Sequence, residues 1–400
     1  MIKKVILFFT LFQGVSFAKV QLQNEIFLQS KNNLTIAPFF ETPYKDQGAL
    51  KARVRSELSY STSSFHFVLS PQFNTLYKTF GNVEVSQSEI NKDNLILHKA
   101  FASYEIGRFE LSAGKKDLSI LKGAMVGSAS WTQWNRSYLS GTIRYQKDFF
   151  HLFIDYWKAN QDERLKILEL GRDYEVIDMQ LNWNFSWLDE LQLAIIYTTK
   201  GEGQDTFYHT GLLMQHKLKH FDFFFKSILQ KKQTSTLDVI DSLFEGSLGY
   251  TWGKKVNHAA NISIGLVSKE FNSLTGTGLD FSGHMFNYFG GHNIKKYTVS
   301  YKNRISDSIK LGLFSHLFER NDSDTLIINQ VNRGFFAGQD GTTTEKVIGK
   351  ELGILSEFKQ MNGANSIKCG YSIFLPGQYF KGENTLSSNH LLWADFNISF

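Results

Sequence analysis

Residues 49–61 read ALKARVRSELSYS, and the character of the side chain changes at almost every step of this stretch. Leu50, Val54 and Leu58 are apolar and lie at even positions. Charged residues, among them Arg53, occupy most of the odd positions. A period of two residues is typical of a β-strand, because successive side chains point to opposite faces of a sheet. The stretch therefore predicts a strand with one apolar and one charged face.

The same alternation recurs along the rest of the chain. It predicts strands near residues 34–41, 49–61, 63–76, 94–106, 108–117, 138–147, 149–158, 173–186, 190–199, 207–219, 221–231, 243–253, 257–270, 294–305, 307–319, 346–359, 363–375 and 389–400. No stretch after the first eighteen residues is apolar enough for a membrane-spanning helix. We therefore predict an all-β fold, a transmembrane antiparallel β-barrel of about eighteen strands, with sixteen as the alternative count.

Short and long gaps alternate between the predicted strands. The short gaps include those near Thr62 and Gly107, and the long ones include 118–137, 271–293 and 320–345. Outer-membrane barrels combine short periplasmic turns with long outer loops, whereas a soluble sandwich has no reason to sort its loops in this way. We expect the three long loops to set the constriction of the barrel.

The start of the chain resembles an export signal. Residues 1–18 combine a basic start, an apolar run and small residues at the end, which predicts a secretory signal cleaved after Ala18. We assign residues 19–33 to a short periplasmic segment and residues 34–400 to the barrel. Export and the barrel pattern together predict the outer membrane of a Gram-negative bacterium, with its lipid as the surroundings of the barrel.

Parity assigns many charged side chains to the interior of the barrel, where a water-filled lumen favours polar residues. The cations are Lys51, Arg53, Arg55, Lys99, Arg108, Lys116, Arg144, Lys217, Lys226, Lys302, Arg304, Lys310 and Lys368, and the carboxylates are Glu57, Glu105, Glu110, Asp178, Asp222, Glu351 and Glu357. The larger basic set favours a path for an anionic solute. A lattice of structural ion pairs is the alternative interpretation.

Composition and motifs narrow the function further. The net charge is +5 and the chain has a single cysteine, which excludes an internal disulfide. Export argues against nucleic acid as a partner. The sequence has no serine-hydrolase elbow, no phosphate-binding loop and no zinc-protease motif, and the spacing of His284 and His292 matches no recognised ligand pattern. We predict no enzymatic activity, no cofactor and no metal.

Local features of three predicted strands give further expectations. The last strand sets Phe396, Ile398 and Phe400 on one face, a spacing that resembles the recognition signal of the barrel-assembly machinery. Pro71 lies inside a predicted strand and cannot donate a ladder hydrogen bond, so we expect a bulge there or a position above the membrane. Trp157 is expected in an interfacial belt of aromatic side chains.

Residues 98–145 resemble the alginate-export family of outer-membrane channels. The matching positions are Gly114, Asp117, Leu118, Gly127, Trp131, Arg136, Gly141 and Arg144. Residues 280–293 resemble a loop of that family and residues 370–380 resemble its closing segment. The resemblance implies an eighteen-stranded barrel whose basic lumen passes an anionic uronate polymer.

Together these patterns predict a channel for passive diffusion or export of an anionic or sugar-like solute, either a small molecule or a polysaccharide. A non-selective general porin is the first alternative. An outer-membrane enzyme or adhesin is the second.

Overall fold

A computed structural model of the chain describes residues 19–35, 47–80, 94–126, 137–159, 174–185, 188–200, 206–233, 238–253, 257–268, 271, 293–322, 345–359, 365–378 and 389–399. Within these ranges, no helix has the length and the hydrophobicity of a membrane span. The described residues form β-strands and the connections between them.

The described ranges contain eighteen strands. The first nine are β1 (Lys19–Thr35), β2 (Gln47–Ser61), β3 (Phe65–Phe80), β4 (Asn94–Ile106), β5 (Phe109–Lys116), β6 (Tyr138–Lys147), β7 (Phe150–Ala159), β8 (Tyr174–Phe185) and β9 (Leu188–Lys200). The second nine are β10 (Thr206–Leu218), β11 (Phe221–Gln233), β12 (Asp238–Trp252), β13 (Asn257–Val267), β14 (Ile294–Arg304), β15 (Ile309–Arg320), β16 (Val347–Lys359), β17 (Ser366–Pro376) and β18 (Asn389–Ser399).

The strands close into one antiparallel barrel. Each strand pairs with the next along the chain, and β1 also pairs with β18 through a register that runs from Glu25 with Ser399 to Thr35 with Asn389. Closure leaves no sheet edge, so the strands supply one another with backbone hydrogen bonds in lipid. The predicted all-β fold and the count of eighteen are confirmed, and the alternative count of sixteen is wrong.

The prediction for the first strand is wrong. Residues 19–33, assigned to a periplasmic segment outside the barrel, belong to β1, which pairs with both β2 and β18. The outward positions of this strand include Val20 and Leu22, which are exposed, but Asn24 interrupts the apolar series. That interruption weakened the alternation. Without β1 the barrel would stay open between β2 and β18.

The two faces of each strand differ as the alternation predicts. In β16, Leu352 and Ile354 are each 47% exposed on the outer face, whereas Glu351 on the inner face is fully buried. Apolar side chains on the outer face meet lipid, and polar side chains on the inner face meet the lumen. The outer faces of the strands therefore form the surface toward lipid, and the inner faces hold the polar and charged side chains.

A β-bulge lies at Pro71, as predicted. The register between β3 and β4 shifts between Ser70 and Pro71, so that Ser70 pairs with Lys99 and Pro71 pairs with Leu97. The shift leaves His98 as the extra residue of β4. A bulge is the expected solution, because proline has no N–H to donate to the ladder.

The final strand presents the predicted apolar face to the outside. Phe396 is 36% exposed and Ile398 is 42% exposed, and both lie on the outer face of β18. Phe400 and the signal of residues 1–18 lie outside the described residues. Recognition by the barrel-assembly machinery stays a prediction.

Candidate functional site: the barrel interior

The structure places almost all of the predicted interior charges on the inner faces of strands. Arg108 is an exception: it lies in the two-residue turn between β4 and β5, so its assignment to the inner wall is wrong. The strand was predicted one residue too early, and β5 begins at Phe109. Lys51 belongs to β2, but its side chain lies outside the described part of the structure.

Arg53 and Arg55 share one carboxylate. Arg53 Nη2 lies 2.7 Å from Glu25 Oε1, and Arg55 donates to the other oxygen of the same side chain. Arg53 is only 2% exposed, and Glu25 is contributed by the strand that the sequence prediction missed. The two cations are therefore partly neutralised, and Arg53 has little contact with the lumen.

The bulge at Pro71 turns two consecutive residues of β4 toward the interior. His98 Nε2 lies 3.3 Å from Asp117 Oδ1, and Lys99 Nζ lies 3.1 Å from Asp117 Oδ2 and 3.3 Å from Glu57 Oε2. Burial alone would raise the pKa of the Asp117 carboxyl, which lies beyond the end of β5. The contact with His98 and the charge of Lys99 outweigh burial, so its pKa is lowered.

The inner faces of β5, β6 and β7 carry a second network. Arg144 Nη1 lies 3.3 Å from Glu110 Oε2, and the Arg144 guanidinium lies 5.1 Å from the centre of the Phe153 ring. Lys116 Nζ donates to Ser112 Oγ at 2.6 Å and also to Thr142 Oγ1. Each cation of this wall is thus held by neighbouring side chains.

Charges on β10 to β12 are also paired. Lys226 Nζ lies 2.7 Å from Glu245 Oε2, with both side chains almost completely buried. Lys217 Nζ lies 3.9 Å from Asp222 Oδ1 near the periplasmic end. These contacts favour a structural role for this part of the predicted basic set.

On the inner wall of β14 to β17, the positive charges outnumber the carboxylates beside them. Lys310, Lys359 and Lys368 surround a single carboxylate, with their Nζ atoms 3.3, 3.5 and 3.8 Å from the oxygens of Glu357. We call these four residues the lysine cluster. The three lysines are between 42% and 49% exposed, so their charges face water and exceed the charge of the carboxylate.

Two further cations lie on the neighbouring strand β14. Lys302 is exposed and has no ion-pair partner among the described residues, and Arg304 Nη2 lies 2.6 Å from Asp307 Oδ1 in the following turn. The register pairs Arg304 with Lys310 and Lys310 with Glu357, so the wall is continuous. The largest excess of positive charge among the described interior residues lies here.

Sequence reasoning missed an apolar structure inside the barrel. Residues 117–126, which we call the inserted segment, follow β5 and fold into the lumen. The backbone turns on itself there, with Ile120 N donating to Val126 O at 3.0 Å. Ile120, Met125 and Val126 are fully buried.

The inserted segment packs against apolar side chains on the inner faces of β6 to β13. These side chains, the apolar inner wall, are Tyr138, Trp157, Val176, Ala194, Ile196, Phe207, Leu213, Ile228, Leu243 and Val267. Trp157 faces inward and donates to Asp178 Oδ2 at 2.8 Å, so its assignment to the outer aromatic belt is wrong. The wall fills one side of the lumen with a dry core.

A notch and a polar contact hold the inserted segment in place. A Cβ at Gly211 would lie 2.2 Å from Leu121 Cδ1, so Leu121 occupies the space that the missing side chain leaves on β10. Lys122 contacts Glu190 and donates to Gln215 on the neighbouring strands. Part of the predicted loop 118–137 therefore narrows the lumen, whereas 127–136, 272–292 and 323–344 lie outside the described residues.

Within the described ranges, no group of three or more His, Cys, Asp or Glu side chains is arranged to hold a metal ion. His284 and His292 lie outside those ranges. The chemistry of the described interior is that of charges, hydrogen bonds and apolar packing.

Comparison with known proteins places this barrel in a family. A family model described as alginate export matches residues 52–394. The chain belongs to the alginate-export family. The match spans β2 to β18, and the resemblance inferred from residues 98–145 is confirmed.

The solved structures that resemble this member of the alginate-export family are outer-membrane porins. OccAB4 from Acinetobacter baumannii has a TM-score of 0.65 at 12% identity, covering 96% of this chain and 98% of that one. OccK5 (OpdH) from Pseudomonas aeruginosa has a TM-score of 0.62 at 10% identity, covering 96% and 99%. OpdK from the same organism, solved with vanillate, has a TM-score of 0.61 at 10% identity, covering 95% and 99%.

A sequence search of curated proteins gives no significant match. The identities to the solved structures are low, so these neighbours establish the fold alone. Family and fold together describe a porin-like channel of the outer membrane.

Proposed function

We propose that this alginate-export protein conducts anionic solutes, small or polymeric, across the outer membrane of a Gram-negative cell after export by a signal cleaved at Ala18. The observation that carries the proposal is the lysine cluster, where the Nζ atoms of three exposed lysines lie within 4 Å of the carboxylate of Glu357. Low-dielectric walls focus such a field and raise the local concentration of anions. Rings of Lys and Arg favour anions in pores.

The contacts of the interior charges support a smaller set of solute-path residues than strand parity alone suggests. Arg53 and Arg55 contact Glu25, and Arg144 contacts Glu110, so their charges are largely compensated. Lys302, Lys310 and Lys368 are exposed to lumen water and their combined charge exceeds that of the carboxylates beside them. We therefore place the solute path along β14 to β17. OpdK, a structural neighbour, was solved with vanillate, an organic anion, which agrees with this class of solute.

The test is ion selectivity in a planar bilayer under a salt gradient. The wild-type reversal potential should indicate anion preference, and replacing Lys302, Lys310 and Lys368 together with Gln should move it toward cation preference. The solvent-exposed charges act over about 10 Å at 0.1 M salt, so the shift should shrink as ionic strength rises.

The matched control removes the same charge from the outer face. Lys158, Lys231 and Lys295 lie at outward positions of β7, β11 and β14, and replacing all three with Gln should leave the reversal potential unchanged. Cation preference in the wild type, or an equal shift in both triple variants, would remove the basis for the proposal. No preference at all would favour the general porin.

A further inference from the structure

A cavity of about 400 Å³ lies between the inserted segment and the inner faces of β5 to β9. Its lining residues come from the inserted segment and from β5 to β9: Glu110, Ser112, Lys116, Asp117, Leu118, Ser119, Lys122, Thr142, Arg144, Phe153, Asp155, Gln180, Asn182 and Gln192. Small-molecule sites usually enclose about 300–1,000 Å³, so the cavity has the size of a ligand site. It lies nearly half of the strand ring away from the lysine cluster.

The charges of this cavity cancel. Three cations, Lys116, Lys122 and Arg144, stand against three carboxylates, Glu110, Asp117 and Asp155.

Each of these cations already has a partner in the protein. Arg144 contacts Glu110, and Lys122 contacts Glu190 on β9. Lys116 donates to Thr142, whose hydroxyl in turn donates to Asp155. An ionic ligand would find no excess charge here, in contrast to the lysine cluster.

Neutral hydrogen-bonding groups remain. Gln180, Asn182 and Gln192 line the cavity from β8 and β9, and Ser119 lines it from the inserted segment. The amide nitrogens of Gln180 and Gln192 donate to Asp178 and Glu190, so their amide oxygens remain as acceptors. Asn182 Oδ1 is buried and has no hydrogen-bond partner among the described residues.

A second unsatisfied atom has the opposite polarity. Arg144 Nε is a buried donor without a partner among the described residues, whereas Asn182 Oδ1 is an acceptor. Hydroxyl groups of a ligand suit a lining of amides and a serine, because each hydroxyl can both donate and accept a hydrogen bond. The Phe153 ring, also in the lining, offers an apolar face to the carbon skeleton of a ligand.

We infer that this cavity binds a neutral polyhydroxylated solute, a sugar or polyol, at a site separate from the anion path. An organic anion would meet compensated cations, and an apolar ligand would meet only Leu118 and Phe153 as apolar side chains. The inference goes beyond the proposed anion conduction, because the two sites lie on different walls and use different chemistry.

The experiment measures reversible reduction of the ion current through the purified full-length protein in a planar bilayer. Maltotriose added on the periplasmic side should reduce the current in a saturable manner. Glucuronate at matched concentration should compete poorly for the same site. Replacing Asn182 with Leu should weaken the apparent affinity for maltotriose by about tenfold, because the lost hydrogen bond leaves part of the ligand unsatisfied.

The matched control is Gln146→Leu, which removes an amide from an inward position of β6 that does not line the cavity. It should leave the maltotriose affinity unchanged. Gln192→Leu is a second cavity variant, and it serves in place of Asn182→Leu if that protein does not fold.

Three outcomes would overturn the inference. The first is the absence of a saturable effect of maltotriose, which would mean that the cavity holds water only. The others are an equal loss of maltotriose affinity in Gln192→Leu and Gln146→Leu, and tighter binding of glucuronate than of maltotriose. The cavity variants should retain the wild-type reversal potential. Failure of this inference therefore leaves the proposed anion selectivity untouched. Loss of the proposed anion selectivity would likewise leave the sugar site untouched.

Discussion

Deletion of residues 118–126, with a short Gly-Ser link in their place, is expected to raise the single-channel conductance severalfold. The inserted segment fills the lumen beside β6 to β13, and an eighteen-stranded barrel without such a filling is wide enough for an open aqueous channel. Conductance steps in a planar bilayer measure the effect. The deletion should also lower the thermal stability, because it exposes the apolar inner wall to water.

A point substitution tests the same idea with less disturbance. Gly211→Val places a side chain where Leu121 now sits, and should displace the inserted segment and raise the conductance. Gly246→Val on β12 is the control, since a Cβ there meets only Phe244 at 3.9 Å. Wild-type conductance in both the deletion and the Gly211 variant would show that the segment does not narrow the path.

Glu25→Ala is expected to have the largest effect on stability among single substitutions of the interior charges. It removes the carboxylate that both Arg53 and Arg55 contact, at a site where Arg53 is 2% exposed. Breaking a buried ion pair by removing one partner costs about 3–5 kcal/mol. The temperature at which the purified barrel loses its compact form on a semi-native gel should fall accordingly.

Glu175→Ala is the matched control. Glu175 pairs with Lys158 at 2.7 Å on the outer face, where both side chains are between 43% and 51% exposed. Exposed ion pairs contribute little to stability, so this change should barely move the unfolding temperature. Equal shifts in the two variants would mean that Glu25 does not hold β1 and β2 together through these arginines.

Strand parity was predictable because a lipid-facing side chain and a lumen-facing side chain differ in chemistry. Val54 between Arg53 and Arg55 is 42% exposed on the outer face, as alternation requires. The same rule predicts that Lys310, Lys368 and Glu357 face the interior of the barrel. It could not show which of these charges are compensated, since that depends on the register of neighbouring strands.

The apolar inner wall escaped prediction for a related reason. Alternation is read from polar residues on one face, but β9 is apolar on both faces where Ala194 and Ile196 face inward and Leu193 and Ile195 face outward. An uninterrupted apolar run such as residues 193–196 is the sequence signal that could have predicted the apolar inner wall. A barrel strand that is apolar on both faces indicates a covering element inside the barrel, and the inserted segment is that element.

Two local features could not be predicted from the sequence: the orientation of His98 and Lys99, and the strand β1. The bulge at Pro71 was predictable from the missing N–H, but its consequence, that His98 and Lys99 both turn inward to Asp117, was not. The strand β1 was missed because Asn24 interrupts its apolar face. In a closed barrel, such a weak strand is fixed by its two neighbours rather than by its own pattern.

Water should reach the inner faces of β14 to β17, whereas the apolar inner wall is covered by the inserted segment and excluded from water. Cysteine accessibility tests it most directly, because Cys369 is the only cysteine of the chain and can be replaced with Ser. In that background, Lys310→Cys should react rapidly with a water-soluble thiol reagent, whereas Ile228→Cys should stay unmodified in the folded protein. Reaction of Ile228→Cys at a rate comparable to Lys310→Cys would contradict the account.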